Sequence, residues 1–67
     1  MPKLYSSDQV IKILLKNGAE KISQRGSHAK FKLGRRTIIV PTKRREIPFG
    51  TFRSIVRQSG LSEADFN

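Results

Sequence analysis

His28-Ala29-Lys30-Phe31-Lys32-Leu33-Gly34-Arg35-Arg36-Thr37-Ile38-Ile39-Val40-Pro41 is the stretch that decides the fold. Its first six residues alternate. Ala29, Phe31 and Leu33 point one way, and His28, Lys30 and Lys32 the other, because successive side chains on a strand face opposite sides. Gly34-Arg35 supplies a tight hairpin turn. Arg36-Thr37-Ile38-Ile39-Val40 is β-branched and reads as the next strand, stopped by Pro41. Upstream, residues 19–25 around Ile22 read as an earlier strand, and Gly26-Ser27 carries the turn chemistry that joins it to His28. Three short strands and two tight turns make an antiparallel meander, one face of which helices can cover.

Helices flank the meander. Ser6 with Gln9 three residues on matches a capping box, and Val10, Ile11, Ile13, Leu14 and Leu15 then form one broad apolar face. Lys12 and Lys16 share the opposite side, and Gly18 ends this helix, over residues 7–17, in a left-handed turn. Residues 41–50 form a connection that contains the basic run Lys43-Arg44-Arg45. Thr51 is placed to cap a second helix with Phe52, Ile55, Val56 and Ser59 inside and Arg53 and Arg57 outside. Gly60 closes it and Leu61 packs back, as a Schellman ending prefers. Residues 62–65 suggest a last short turn with Phe66 folded onto the core. Met1–Tyr5 reads as a lead-in. The expected order is α-β-β-β-α, in a single domain over residues 1–67, with the sheet's other face open.

Composition narrows the function. A chain of 67 residues with 36% apolar content has a thin core, so its function is expected on a surface. Fourteen Lys and Arg against five Asp and Glu leave a formal charge of +9. Such a field favours polyanions: RNA, DNA, an anionic membrane surface or an acidic protein. The sequence has no Cys, hence no disulfide or thiolate site, which suits a reducing cytoplasm. Its apolar runs are too short for a transmembrane helix or a signal peptide, so no membrane partner is expected.

His28 is the most informative residue. Imidazole trades protons near neutral pH, and here it shares a strand face with Lys30 and Lys32. Beside cations that hold a phosphate it could deprotonate a ribose 2′-OH, whose oxygen then attacks the adjacent phosphorus and breaks the RNA backbone. Lys and Arg would offset the charge that builds on the phosphoryl oxygens. This chemistry needs no metal and no cofactor. The plain alternative is an ordinary exposed histidine on a basic surface.

Lys12 and Lys16 read as a solvated helix face. Arg35, Arg36, Lys43, Arg44, Arg45, Arg53 and Arg57 fall on a hairpin, a loop and a helix that can adjoin one another, and are candidates for RNA contact. One His and five scattered acids do not make a zinc site. A triad of Ser27, His28 and Asp8 fails because adjacent strand residues face opposite ways. Tyr5 and the four Phe sit at core-like positions and read as packing residues.

Gly26-Ser27-His28, Arg36-Thr37-Ile38-Ile39-Val40-Pro41, Glu46-Ile47-Pro48, Gly50-Thr51-Phe52-Arg53-Ser54-Ile55 and Gly60-Leu61-Ser62, in this order, resemble the HicA toxins of bacterial and archaeal toxin–antitoxin modules. Lys12, Leu15, Asn17-Gly18 and Ala19 also resemble that family's first helix and its exit. The resemblance implies an α+β, double-stranded-RNA-binding-like α-β-β-β-α fold, with a three-stranded antiparallel sheet and helices packed on one face. It implies an mRNA interferase: a ribosome-independent endoribonuclease that cuts messenger RNA and arrests growth. It assigns catalysis to the His of the Gly-Ser-His motif, here His28 with Gly26 and Ser27 shaping the turn. It also implies a HicB antitoxin that binds the toxin and masks the active surface. One position departs. Many members carry a second His two residues after the Pro that ends the third strand, and here Lys43 stands there. An ordinary lysine stays protonated at neutral pH and is a poor general base.

The expectation is therefore a cytoplasmic toxin that holds RNA on its basic open face. His28 is the general base, and Lys30, Lys32 or nearby Arg residues position the phosphate. Two alternatives differ in class: a non-catalytic module that binds structured RNA through phosphate and 2′-OH contacts, and an interaction element for an acidic protein.

Overall fold

A computed structural model of the protein describes residues 4–66. The order is α1 (Ser7–Lys16), β1 (Glu20–Arg25), β2 (His28–Leu33), β3 (Arg36–Pro41) and α2 (Phe49–Ser59), followed by a single 3₁₀ turn, Glu63–Phe66. The α-β-β-β-α order and the antiparallel sheet β1-β2-β3 are those expected from the sequence. Met1, Pro2 and Lys3, part of the expected lead-in, lie outside the described residues.

The capping box forms as the sequence predicts. The Ser6 hydroxyl accepts the Gln9 N–H at 3.1 Å, and the Gln9 side chain accepts the Ser6 N–H at 2.9 Å. Val10 and Leu14 are fully buried, but Leu15 is 49% exposed, so the buried stripe is narrower than the apolar run. Ala29, Phe31, Ile38 and Val40 point to the same face of the sheet and meet Val10, Leu14, Phe52, Ile55 and Phe66. Tyr5 stacks on Phe52 at 4.7 Å, and Phe66 meets Phe52 edge-on at 5.4 Å, which ties both ends of the described chain to α2.

Three local expectations are corrected. First, α2 begins at Phe49 with Pro48 as N-cap, so Thr51 lies inside the helix and caps nothing. The Phe52 N–H closes the first turn on the Pro48 carbonyl at 2.9 Å, and the Phe49 ring lies 6.2 Å from that of Phe52. Second, Phe49 is 43% exposed and is not a core residue. Third, Pro41 is the last residue of β3 and pairs with His28, so the connection shortens to residues 42–48. Within it Ile47 is fully buried and its N–H donates to the Tyr5 carbonyl at 2.7 Å.

The helices do not cover the sheet evenly. α2 packs chiefly on β3, and α1 touches β3 and the 3₁₀ turn. β1 is exposed along its whole length. A core this thin covers β2 and β3, and β1 is held mainly by its pairing with β2.

Candidate active site

The site is built from the first hairpin. Gly26 has φ +58, a left-handed conformation that glycine adopts without Cβ strain. Gly26-Ser27 therefore forms a two-residue turn, and the register pairs Arg25 directly with His28. His28 opens β2 and is exposed, while its neighbour Ala29 is buried. Lys30 follows on the same face as His28, paired with Ser23 on β1 and Ile39 on β3. Ile22 falls at a bulge between Lys21 and Ser23, and that irregularity brings Ser23 and Arg25 into register with Lys30 and His28.

The end of β3 is tied to the same turn. The Thr42 N–H donates to the Ser27 carbonyl at 2.7 Å, so Ser27 contributes through its backbone. Ser7, at the start of α1, holds the next residues. Its hydroxyl donates to the Pro41 carbonyl at 2.5 Å and accepts the Arg44 N–H at 3.0 Å, and its own N–H donates to the Arg44 carbonyl at 2.9 Å. Lys43, with φ +59, turns the chain sharply between these anchors. The exposed run Lys43-Arg44-Arg45 therefore leaves the sheet at the end where His28 sits.

A shallow groove of about 420 Å³ opens at this end, lined by Ser23, Gln24, Arg25, His28, Ala29, Lys30 and Ile39. Its charged members, Arg25 and Lys30, are both cations. Among the described residues, neither the Arg25 nor the Lys30 side chain has a hydrogen-bond or ion-pair partner. Ile39, 39% exposed, adds an apolar patch beside Lys30. An uncommitted imidazole beside two uncommitted cations can exchange a proton with a bound group while the cations hold an anion. Among the described residues no cluster of His, Asp and Glu is arranged to hold a metal.

The other candidate residues lie elsewhere. Lys32 shares the open face but pairs with Glu20 and Thr37 toward the far end of the sheet. Arg35 sits in the second turn, beyond Leu33, which is itself about 17 Å from His28 at about 3.3 Å per strand residue. Arg36 reaches the end of α2, donating to the Arg57 carbonyl at 3.4 Å, and its side chain passes within 3 Å of where a Cβ on Gly60 would stand. That placement fits a cation closing a helix C-terminus. Arg53 and Arg57 are on the exposed side of α2, with the Arg53 guanidinium 6.0 Å from the Phe49 ring centre. The structure thus gathers His28, Lys30 and the 43–45 run at one end and disperses the rest.

Arg25 is the one charged residue of the groove absent from the candidates of the sequence analysis. The signal was available, because a two-residue turn at Gly26-Ser27 makes 25 and 28 cross-strand partners. Ser7 was also passed over, since nothing local distinguishes a helix-start serine that bridges to residues 41 and 44.

The family model described as HicA toxin of bacterial toxin–antitoxin matches residues 7–61. That span runs from the start of α1 to just past α2 and includes every residue of the groove. Among curated proteins no match is found.

Proposed function

This chain belongs to the HicA family of bacterial toxin–antitoxin toxins, and we propose that it acts as an endoribonuclease that cuts messenger RNA with His28 as general base. The observation that carries the reading is the exposed His28 in a groove with Arg25 and Lys30, both without partners among the described residues. The phosphodiester sits against the cations, which offset charge on its non-bridging oxygens. His28 takes the proton of the ribose 2′-OH. The 2′-oxygen bonds to phosphorus, the bond from phosphorus to the 5′-oxygen breaks, and the 5′-oxygen collects a proton from water. The imidazolium returns its proton to solvent. The products are a 2′,3′-cyclic phosphate and a 5′-hydroxyl, and no metal is needed. Lys43-Arg44-Arg45, at the same end, bind neighbouring phosphates.

A toxin of such a system has a cognate antitoxin. Here we read it as a HicB-type protein whose acidic surface complements the +9 charge and covers the His28 groove. No helix among the described residues is long and apolar enough to cross a membrane. A second reading, a non-catalytic RNA-binding module, is favoured by Lys32 and Arg35, which lie beyond the reach of a single phosphate at His28. The test is a comparison of wild type and His28→Ala at equal concentration on a single-stranded RNA. Loss of cleavage with retained binding supports the nuclease. Equal cleavage by both refutes His28, and no cleavage by either favours the binding module.

A further inference from the structure

We infer that Arg25 is the residue that grips the scissile phosphodiester, its guanidinium holding the non-bridging oxygens beside the His28 imidazole. The inference deepens the nuclease reading and rests on it. Arg25 and His28 are direct cross-strand partners closed by a two-residue turn, so both line the groove from adjacent strands. In antiparallel pairs such partners have Cβ atoms about 4.5–5.5 Å apart, within reach of one phosphate group.

The turn is stiffened from behind. Lys21 Nζ donates to Gln24 Oε1, and Gln24 Nε2 donates to the Gly26 carbonyl at 3.3 Å. Lys21 and Gln24 are thereby occupied, while the Arg25 side chain has no partner among the described residues. Other arginines have visible structural work. Arg36 closes α2, and Arg53 lies over Phe49. Arg25 has no such role among the described residues, since it contacts neither a ring nor a carboxylate nor a helix end.

Guanidinium also suits the task better than ammonium. Its planar fork makes two parallel hydrogen bonds to a phosphate, which fixes orientation as well as charge. Lys30, on the other side of His28 along β2, supplies a point charge but no such geometry. Arg25 would set the phosphorus in line for 2′-oxygen attack, and Lys30 would neutralise the remaining charge.

The experiment uses Arg25→Ala, Arg25→Lys and, as a control on the solvated face of α1, Lys12→Ala, each shown to fold by circular dichroism. Cleavage of a single-stranded RNA gives kcat and KM, and binding of the all-2′-deoxy version of that strand is measured separately. Arg25→Ala is expected to lower kcat/KM by about ten- to a hundredfold, the worth of one charge-assisted contact. Arg25→Lys should recover binding more than kcat, and Lys12→Ala should stay within twofold. If wild type cleaves in a His28-dependent way and Arg25→Ala stays within twofold, the inference is overturned while the nuclease reading stands. If wild type does not cleave, the nuclease reading fails by itself. The deoxy strand then decides whether Arg25 grips phosphate: a weakening no larger for Arg25→Ala than for Lys12→Ala overturns it.

Discussion

Ser7→Ala is a mild change on paper and a consequential one in this fold. The Ser7 side chain is buried, and its hydroxyl bridges the Pro41 carbonyl and the Arg44 N–H, joining the start of α1 to the exit of β3. Each such hydrogen bond contributes about 0.5–1.5 kcal/mol net, so losing both costs about 2 kcal/mol. In a domain of this size about 1 kcal/mol moves the melting midpoint by roughly 4–8 °C, which gives a fall of about 8–16 °C. The backbone bond from Ser7 N–H to Arg44 survives, so the fold should persist and the 42–45 segment should loosen. Thermal melting followed by circular dichroism measures the first effect, and hydrogen exchange at Thr42 and Arg44 the second. A midpoint within 2 °C of wild type, with unchanged exchange, would refute the argument that this hydroxyl positions the basic run.

Phe66→Ala removes a fully buried ring packed edge-on against Phe52. The expected loss of about 3–5 kcal/mol compares with a total stability of about 3–10 kcal/mol, so urea unfolding should show a largely unfolded population in mild denaturant. Thr42→Val should raise the melting midpoint by a few degrees, because the Thr42 hydroxyl oxygen is buried without a hydrogen-bond partner among the described residues; a lower midpoint contradicts this. The Ser62 backbone N–H, and then its hydroxyl, donate to Asp65 and hold that carboxyl below its ordinary 3.8. A lowered folded-state value means stabilisation that is complete above pH 3.8 and fades as pH falls through the folded-state value. Asp65→Asn should therefore melt slightly below wild type at neutral pH, and the gap should close in strong acid; a gap independent of pH sinks the assignment.

Much of this architecture is local and could be read residue by residue. Ser6 and Gln9 cap a helix by their own side chains, and the alternation from His28 to Leu33 fixes a strand and its faces at once. What escaped the reading depends on contacts between distant residues. Thr51 is a better intrinsic cap than Pro48, yet a turn closed on the Pro48 carbonyl and a Phe49–Phe52 ring contact start the helix earlier. Ser7 reaches across 34 and 37 residues to its partners, a pairing with no local pattern. Leu15 belongs to an apolar run, but the helix presents more apolar surface than the small sheet can cover. At the site His28 and Lys30 followed from alternation. Arg25 needed the further step of converting turn length into cross-strand register. Arg35 and Arg36 lie away from the groove because the second turn is at the opposite end of β2, and Arg53 and Arg57 because of how α2 seats, neither of which charge counting registers.

In the proposed reaction an imidazole at the mouth of the first hairpin frees a sugar oxygen to attack its own phosphodiester. Mass spectrometry of the RNA fragments released by the wild-type protein tests this most directly. The expected termini are a 2′,3′-cyclic phosphate and a 5′-hydroxyl, both missing from digests with His28→Ala. Fragments ending in 3′-hydroxyl and 5′-phosphate would contradict the proposed reaction, because those ends require water rather than the ribose to attack phosphorus.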